Sequence, residues 1–185
     1  SVVSLPGTTL VLENPLSLTG ATLKTNGTTF TTNANALSLS NSSILEVEGT
    51  QDLGGVLLLD NSTTLRLAAN STIDDNASLS VGTLDLANFA LTLDDQMAGL
   101  SIAQPVTLDA AGEQIVTGAA DLSLNGGISA TAGTLSSTGG TLNLSGGATL
   151  ASGSSFSTSN TTLNLGGSLA VADTWTSTST NVSLT

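Results

Sequence analysis

The sequence predicts an all-β chain folded as a parallel β-helix, a triangular β-solenoid of about nine turns of 20–21 residues. Three observations predict it. Pairs of apolar residues separated by one residue recur at spacings of 19 to 22 residues. Apolar and polar residues alternate inside each repeat, as in β-strands. Gly and Asn punctuate each repeat at three positions, so residues 1–185 form one domain of stacked units.

The first face of the predicted solenoid comes from the most regular apolar pairs. The outer members of each pair are predicted to point inward, because side chains two residues apart in a strand share one face. A single repeat cannot bury its apolar side chains alone, so successive repeats are predicted to stack. These pairs are Leu16/Leu18, Leu37/Leu39, Leu57/Leu59, Leu79/Val81, Leu100/Ile102, Leu122/Leu124, Leu142/Leu144, Leu163/Leu165 and Val182/Leu184.

Two further apolar columns lie between these pairs and predict a second and a third face. The second face comprises Leu23, Leu45/Val47, Leu65/Leu67, Leu84/Leu86, Val106/Leu108, Ile128, Leu150 and Leu169/Val171. The third face comprises Leu10/Leu12, Phe30, Leu53, Ile73, Leu91/Leu93, Ile115, Leu135, Phe156 and Trp175. Gly or Asn residues such as Gly49, Asn70, Gly126 and Gly146 fall between the faces, and they suit corners because they tolerate left-handed backbone angles.

Composition excludes several kinds of chemistry. The chain has no Cys and no His, which removes disulfides, thiolate chemistry and the usual general base. The chain has 2 basic and 14 acidic residues, and the resulting net charge of −12 argues against nucleic acid as a partner. The sequence has no apolar run of 18 residues, so we expect no membrane insertion.

Two pairs of adjacent aspartates predict a calcium site. Asp74-Asp75 and Asp94-Asp95 lie 20 residues apart, so they should stack on one corner, with Asp52 and Glu113 nearby. Stacked carboxylates repel each other unless a cation compensates, and clusters of oxygen ligands suit Ca²⁺. The alternative is a solvated acidic edge that discourages side-to-side sheet association. No other cofactor is expected.

The polar surface predicts a secreted or cell-surface location. The chain contains few Lys residues and many Ser, Thr and Asn residues, and its asparagines form eight Asn-x-Ser/Thr sequons. Several of these lie at predicted corners, where glycosylation would be possible. The sequons are Asn26, Asn41, Asn61, Asn70, Asn76, Asn143, Asn160 and Asn181.

The repeat resembles the right-handed β-helix shafts of secreted bacterial adhesins, namely filamentous-haemagglutinin-type exoproteins and autotransporter passenger domains. The segments that carry the resemblance are Gly-Thr-Leu-Asn-Leu-Ser-Gly-Gly-Ala-Thr-Leu from Gly140 and Thr-Thr-Leu-Asn-Leu-Gly-Gly-Ser-Leu from Thr161. The resemblance implies right-handed coiling and an extracellular structural or adhesive role.

Other functions receive less support. The architecture also resembles β-helix pectin-degrading enzymes, in which Asp75 and Asp95 would correspond in kind to paired catalytic acids. Those families need basic residues, a His motif in the hydrolases, and long loops; this sequence has two basic residues, no His and almost no long loops, so we expect no enzyme activity. The outward residues of the first face form a Ser/Asn ladder, which does not supply the Thr-x-Thr array needed for ice binding. That ladder leaves a carbohydrate-binding surface, with cell-surface glycans as partners, as an open alternative.

The terminal repeats predict end-to-end assembly. Neither end carries a capping segment, and the order of the faces continues if Thr185 of one copy is followed by Ser1 of the next. The favoured hypothesis is a subunit that stacks head to tail into an extracellular filament. The alternative is a fragment of a longer adhesin shaft. The predicted polymer interface comprises Val2, Val3, Leu5, Leu10, Leu12, Leu18, Leu165, Val171, Trp175, Val182 and Leu184.

Overall fold

The computed structural model describes residues 1–4, 10–26, 30–31, 35–51, 57–74 and 78–185. Within these ranges all regular structure is β-strand and no helix occurs. The strands are β1 (Val2–Ser4), β2 (Leu10–Val11), β3 (Leu16–Thr19), β4 (Thr22–Lys24), β5 (Phe30–Thr31), β6 (Leu37–Ser40), β7 (Ile44–Gln51), β8 (Leu57–Leu59), β9 (Thr64–Ile73), β10 (Ser78–Val81), β11 (Thr83–Asp85), β12 (Ala90–Leu93), β13 (Gly99–Ile102), β14 (Val106–Leu108), β15 (Gln114–Thr117), β16 (Asp121–Leu124), β17 (Ile128–Ala130), β18 (Thr134–Ser137), β19 (Thr141–Leu144), β20 (Ala148–Leu150), β21 (Ser155–Ser159), β22 (Thr162–Leu165), β23 (Leu169–Val171), β24 (Trp175–Thr178) and β25 (Asn181–Leu184).

The first face has the predicted register within each of its two sheets. It consists of a three-stranded sheet, β3-β6-β8, and a six-stranded sheet, β10-β13-β16-β19-β22-β25. Every pairing is parallel, and Leu37 lies opposite both Leu16 and Leu57. The parallel β-solenoid is therefore confirmed. It has about eight turns rather than nine, because the nine strands of this face bound eight complete turns.

The second and third faces are joined at the N-terminal end of the solenoid. Strands β7 and β9 each run across two faces, so that β11 pairs with the first half of β9 and β12 with the second half. The predicted corners at Gly49 and Asn70 therefore lie inside continuous strands. The register of β7 and β9 shifts between Val47 and Gly49, where Gly49 has a φ of 72°. An irregularity of this kind bends a strand without ending it.

In later turns the two faces separate as the sequence predicts. Strands β14-β17-β20-β23 form the second face, and β12-β15-β18-β21-β24 form the third. Ile128 lies opposite Ala148, and Leu150 lies opposite Ala130. Ile128 and Leu150, which follow each other in the predicted second face, therefore occupy two different inward columns. The second inward position of each strand holds a small alanine, so the pattern of large apolar residues did not reveal it.

The core is a continuous stack of inward side chains. The residues predicted to point inward that are buried include Leu39, Leu67, Leu86, Leu124, Leu144, Phe156 and Leu165. Leu18, Leu59 and Trp175, also predicted to point inward, are partly buried and pack against the same core. The rings of Phe156 and Trp175 stack with centroids 5.5 Å apart. Each fully buried leucine contributes about 1.5–3 kcal/mol to the hydrophobic stabilisation.

The third face contains inward polar residues that the apolar pattern did not predict. Gln51 lies opposite Ile73, in the position expected for Leu53, which is outside the described residues. Three turns later the same inward column continues with Thr117 and Ser137, both completely or almost completely buried. A neighbouring hydroxyl, that of Thr161, donates to the backbone oxygen of Ser137 at 3.1 Å. At Ser137 a hydrogen bond between turns thus replaces an apolar contact, whereas the buried Thr117 hydroxyl has no hydrogen-bond partner among the described residues.

Glycines allow the turns to approach closely at the corner after the first face. The left-handed residues are Gly127 and Gly147, each with a φ of 82°, one position after the predicted Gly126 and Gly146. A Cβ atom on Gly147 would lie 2.6 Å from the backbone oxygen of Ser168 in the next turn. Such a distance is sterically forbidden, so glycine is required by both backbone angle and packing.

Candidate functional surfaces

The first turn presents strand edges that are paired on one side only. Strand β1 pairs with β4, and β3 pairs with β6, but neither has a partner on its other side among the described residues. Val2 and Val3 are 63% and 37% exposed, whereas Leu23, opposite Val3 in the next turn, is buried. The first turn therefore exposes both backbone hydrogen-bonding groups and apolar side chains.

The last turn presents the complementary edge. Strands β23, β24 and β25 pair with β20, β21 and β22, respectively, and have no further partners among the described residues. Leu184 is 80% exposed, although Leu165, its neighbour in the same inward column, is only 6% exposed. Burial in this column thus depends on having a turn on both sides. The indole of Trp175 donates a hydrogen bond to the Thr158 hydroxyl at 3.0 Å.

The predicted interface residues divide according to their depth in the terminal turns. Those directly on the edges, Val2, Val3, Val182 and Leu184, are exposed. Leu18, Val171 and Trp175 are half-buried, and Leu12 and Leu165 are buried. Leu10 lies on β2, where its backbone pairs with Phe30. Leu5 lies outside the described residues.

The acidic corner is only partly assembled as predicted. The backbone N–H of Asp94 donates a hydrogen bond to the backbone oxygen of Ile73 at 3.0 Å, which places Asp94 beside Asp74 in the adjacent turn. Asp95 accepts a hydrogen bond from the backbone N–H of Ala119 at 2.9 Å. Asp75 and Asp52 lie outside the described residues. Within the part of the chain that the structure describes, no three acidic residues are grouped to hold a metal ion, so calcium binding stays a prediction.

Glu113 does not join that corner. It precedes β15, at the corner between the second and third faces, and it is 7% exposed. Its carboxylate accepts hydrogen bonds from the backbone N–H groups of Asp109 and Ala110 at 2.7 and 3.2 Å. The prediction that placed it near the aspartate pairs was wrong, because position along a repeat fixes which corner a residue occupies. Glu113 instead closes a turn.

Asp60 fastens a corner after the first face. One carboxylate oxygen accepts hydrogen bonds from the backbone N–H and the hydroxyl of Ser62, at 2.9 and 2.5 Å, and from the Thr63 hydroxyl. The other oxygen accepts from the backbone N–H of Asn41, one turn away. The hydrogen bonds from Ser62, led by its hydroxyl, lower the pKa of Asp60 because they favour the charged form.

An alternating charge ladder on the second face escaped the sequence analysis. Lys24 lies opposite Glu46, Glu46 opposite Arg66, and Arg66 opposite Asp85, each one turn further along. Lys24 approaches Glu46 at 2.7 Å, and Arg66 approaches Asp85 at 2.8 Å. Both basic residues of the protein therefore lie in one ladder. Successive members of the ladder are 22, 20 and 19 residues apart, which is close to the period of the repeat, so the sequence could have indicated the ladder.

A Ser/Asn ladder runs along the outside of the first face, as predicted. Ser123, Asn143, Asn164 and Ser183 lie opposite one another in successive turns. Asn143 donates to the Ser123 hydroxyl at 2.9 Å, and Asn164 donates to the Asn143 side chain at 2.7 Å. The ladder thus links turns through side chains as well as through the backbone.

The predicted glycosylation sites differ in accessibility. Asn143 is half-buried and its amide uses both its donor and its acceptor within the ladder, which makes it a poor acceptor for a glycan. Asn76 is outside the described residues. The remaining sequon asparagines are exposed, namely Asn26, Asn41, Asn61, Asn70, Asn160 and Asn181.

Comparisons of the chain with family models, curated proteins and solved structures found no match. Among the described residues, no helix is long and apolar enough to cross a membrane.

Proposed function

We propose that this protein is an extracellular structural subunit that stacks head to tail into a filament or matrix fibre. One observation carries the proposal. The two terminal turns present unpaired parallel strand edges together with exposed apolar side chains at inward positions, namely Leu184 at 80% and Val3 at 37%. Both columns are buried one turn further in, at Leu165 and Leu23, so a further solenoid turn is the surface that fits these edges.

The chemistry of the edges supports pairing between strands. An edge strand offers a row of N–H and C=O groups to any chain that can add a strand. Such pairing would satisfy these groups and remove the exposed apolar side chains from water, each apolar Å² contributing about 25 cal/mol. The contact joins two different ends, so it is open and can propagate along one axis.

An extracellular location remains part of the proposal. Its support is the scarcity of Lys, the abundance of Ser, Thr and Asn, and the exposed sequon asparagines, of which Asn41 and Asn160 lie at corners with left-handed backbone angles. In such a fibre the sides would carry Ser, Thr and Asn, and the parallel sheets would bear axial load through backbone hydrogen bonds. The function would then be mechanical rather than catalytic.

Two lysine substitutions at the ends test the proposal. Val3→Lys and Leu184→Lys would each bury a charge in the contact, and each should abolish elongation. Thr149→Lys is the matched control, because Thr149 is exposed on the side of the solenoid, on β20 one turn in from the last turn, and the change in net charge is the same. Light scattering during concentration of the purified chain measures elongation, and circular dichroism checks folding.

The result would contradict the proposal if the unmodified chain stays monomeric at high concentration, or if the control loses elongation as completely as the end variants do. A monomeric chain would favour the second candidate, a segment of a longer adhesin shaft, since the same edges would then pair with further turns of one polypeptide. The resemblance of the Gly140 and Thr161 segments to such shafts supports that candidate.

A further inference from the structure

We infer that the contact between copies has one polarity and one register, in which β23, β24 and β25 of one copy pair with β1, β2 and β3 of the next. The inference rests on the proposed function and specifies the partner surface as the first turn of a second copy of this chain. It follows from the order of the faces at the two ends.

The faces at the two ends occur in the matching order. The last strand is β25 on the first face, and the first strand is β1, which pairs with β4 on the second face. Since the chain visits the second face after the first, β1 of the next copy occupies the position that a further turn would fill. A rotated contact would instead place first-face strands against second-face strands.

The inward columns of the first face match across the contact. Val182 and Leu184 hold the two inward positions of β25, opposite Leu163 and Leu165. Leu16 and Leu18 hold the same two positions of β3, opposite Leu37 and Leu39. With Leu16 opposite Val182 and Leu18 opposite Leu184, both columns continue across the contact.

The same register brings inward positions together on the second face. Val3 lies opposite the buried Leu23, and Leu169 lies opposite the buried Ala148, so Val3 and Leu169 are both inward positions and can lie opposite each other. On the third face β2 would pair with β24. A contact shifted by one residue would turn inward side chains outward.

The outward ladder of the first face also continues in this register. Ser183 ends the ladder of one copy, and it would lie opposite Ser17, which itself lies opposite Ser38. Ser17 and Ser183 are exposed and face away from the core, so they can be replaced without disturbing the apolar columns. They provide direct reporters of the register.

Disulfide cross-linking tests the inference, since the native chain has no Cys. The test variant combines Ser17→Cys with Ser183→Cys. Adjacent strands lie about 4.8 Å apart, within the range of Cα separations that a disulfide spans. We expect oxidation of the assembled protein to give a ladder of covalent multimers on a non-reducing gel, which a reductant collapses to one band.

Three further variants provide the controls. Ser17→Cys combined with Ser38→Cys should form a disulfide inside one chain and shows that oxidation proceeds. Ser17→Cys combined with Ala170→Cys places the second thiol on the outside of the second face, and it should give no ladder. Ser17→Cys alone should remain monomeric on the gel, because two first turns do not meet.

The outcomes separate the register from the proposed function. If the protein assembles but the Ala170 variant gives the ladder, if the single variant forms dimers, or if the test variant stays uncross-linked, the register is wrong and assembly stands. If light scattering shows no assembly by the native chain or the variants, the proposed function fails and the inference fails with it.

Discussion

Replacement of Leu144 by alanine tests how strongly the stacked core stabilises the fold. Leu144 is completely buried on the first face, opposite Leu165 in the next turn. The substitution removes three carbon atoms, which at about 0.8 kcal/mol per buried CH₂ group corresponds to about 2.4 kcal/mol of lost transfer free energy. The parallel strands on either side hold the gap open, so a cavity cost adds to this, within the range of about 2–5 kcal/mol known for Leu→Ala changes.

Leu184→Ala is the matched control, because Leu184 lies in the same inward column and differs from Leu144 in being 80% exposed. It should change the free energy of unfolding by less than about 0.5 kcal/mol. Urea unfolding at dilute protein concentration, followed by circular dichroism, measures both variants. Equal effects of the two substitutions, or a loss below about 1 kcal/mol for Leu144→Ala, would refute the assignment of Leu144 to a closely packed core.

Three other perturbations have defined outcomes. Because hydrogen bonds lower the pKa of Asp60 in the fold, its carboxylate stabilises the protein above its ordinary pKa of about 3.9, and this stabilisation is lost as the pH falls through the folded value. Asp60→Asn should therefore flatten the fall in stability below about pH 4, and an unchanged acid limb would contradict this. Arg66→Ala should cost about 0.2–1 kcal/mol by breaking the contact with Asp85, and the cost should shrink in 1 M NaCl; a loss that salt leaves unchanged would indicate packing instead. If the aspartate pairs bind calcium, millimolar Ca²⁺ should raise the melting temperature more than NaCl of matched ionic strength, and Asp94→Asn should remove that difference; equal melting curves would exclude the site.

The repeat made the fold predictable from the sequence. Inward side chains of a solenoid must recur once per turn, so the spacing from Leu16 to Leu37 to Leu57 fixed both the stacking and the register. Alternation within each pair fixed which side chains point inward, as the burial of Leu39 and Leu144 confirms. The direction of coiling stays a prediction, since it came from the resemblance alone.

Details that depend on small or polar residues were not predictable from the apolar pattern. Two inward positions do not stand out in the sequence, because Ala148 is small and Gln51 is polar. The bend at Gly49 lies within β7, and a glycine there is compatible with either a corner or an irregular strand. Glu113 closes a local turn through backbone hydrogen bonds, a role that spacing along the repeat does not reveal.

The residues at the edges of the terminal turns were predictable because they follow from the phase of the repeat, and Val182 and Leu184 are exposed there. That these edges form an interface stays a prediction. A metal site depends on where carboxylates point, and Asp95 turns out to bond the Ala119 backbone. The charge ladder of Lys24 and Arg66 could have been predicted from the sequence, because its successive members are about one repeat apart.

The most direct test of end-to-end stacking is the axial repeat of the assembled protein in electron micrographs. Each copy contributes nine strands to the first face, at about 4.8 Å per strand, so the account predicts unbranched fibres with an axial subunit repeat of about 43 Å. A particle that remains a single solenoid at high concentration, or assemblies that grow sideways without that repeat, would contradict it.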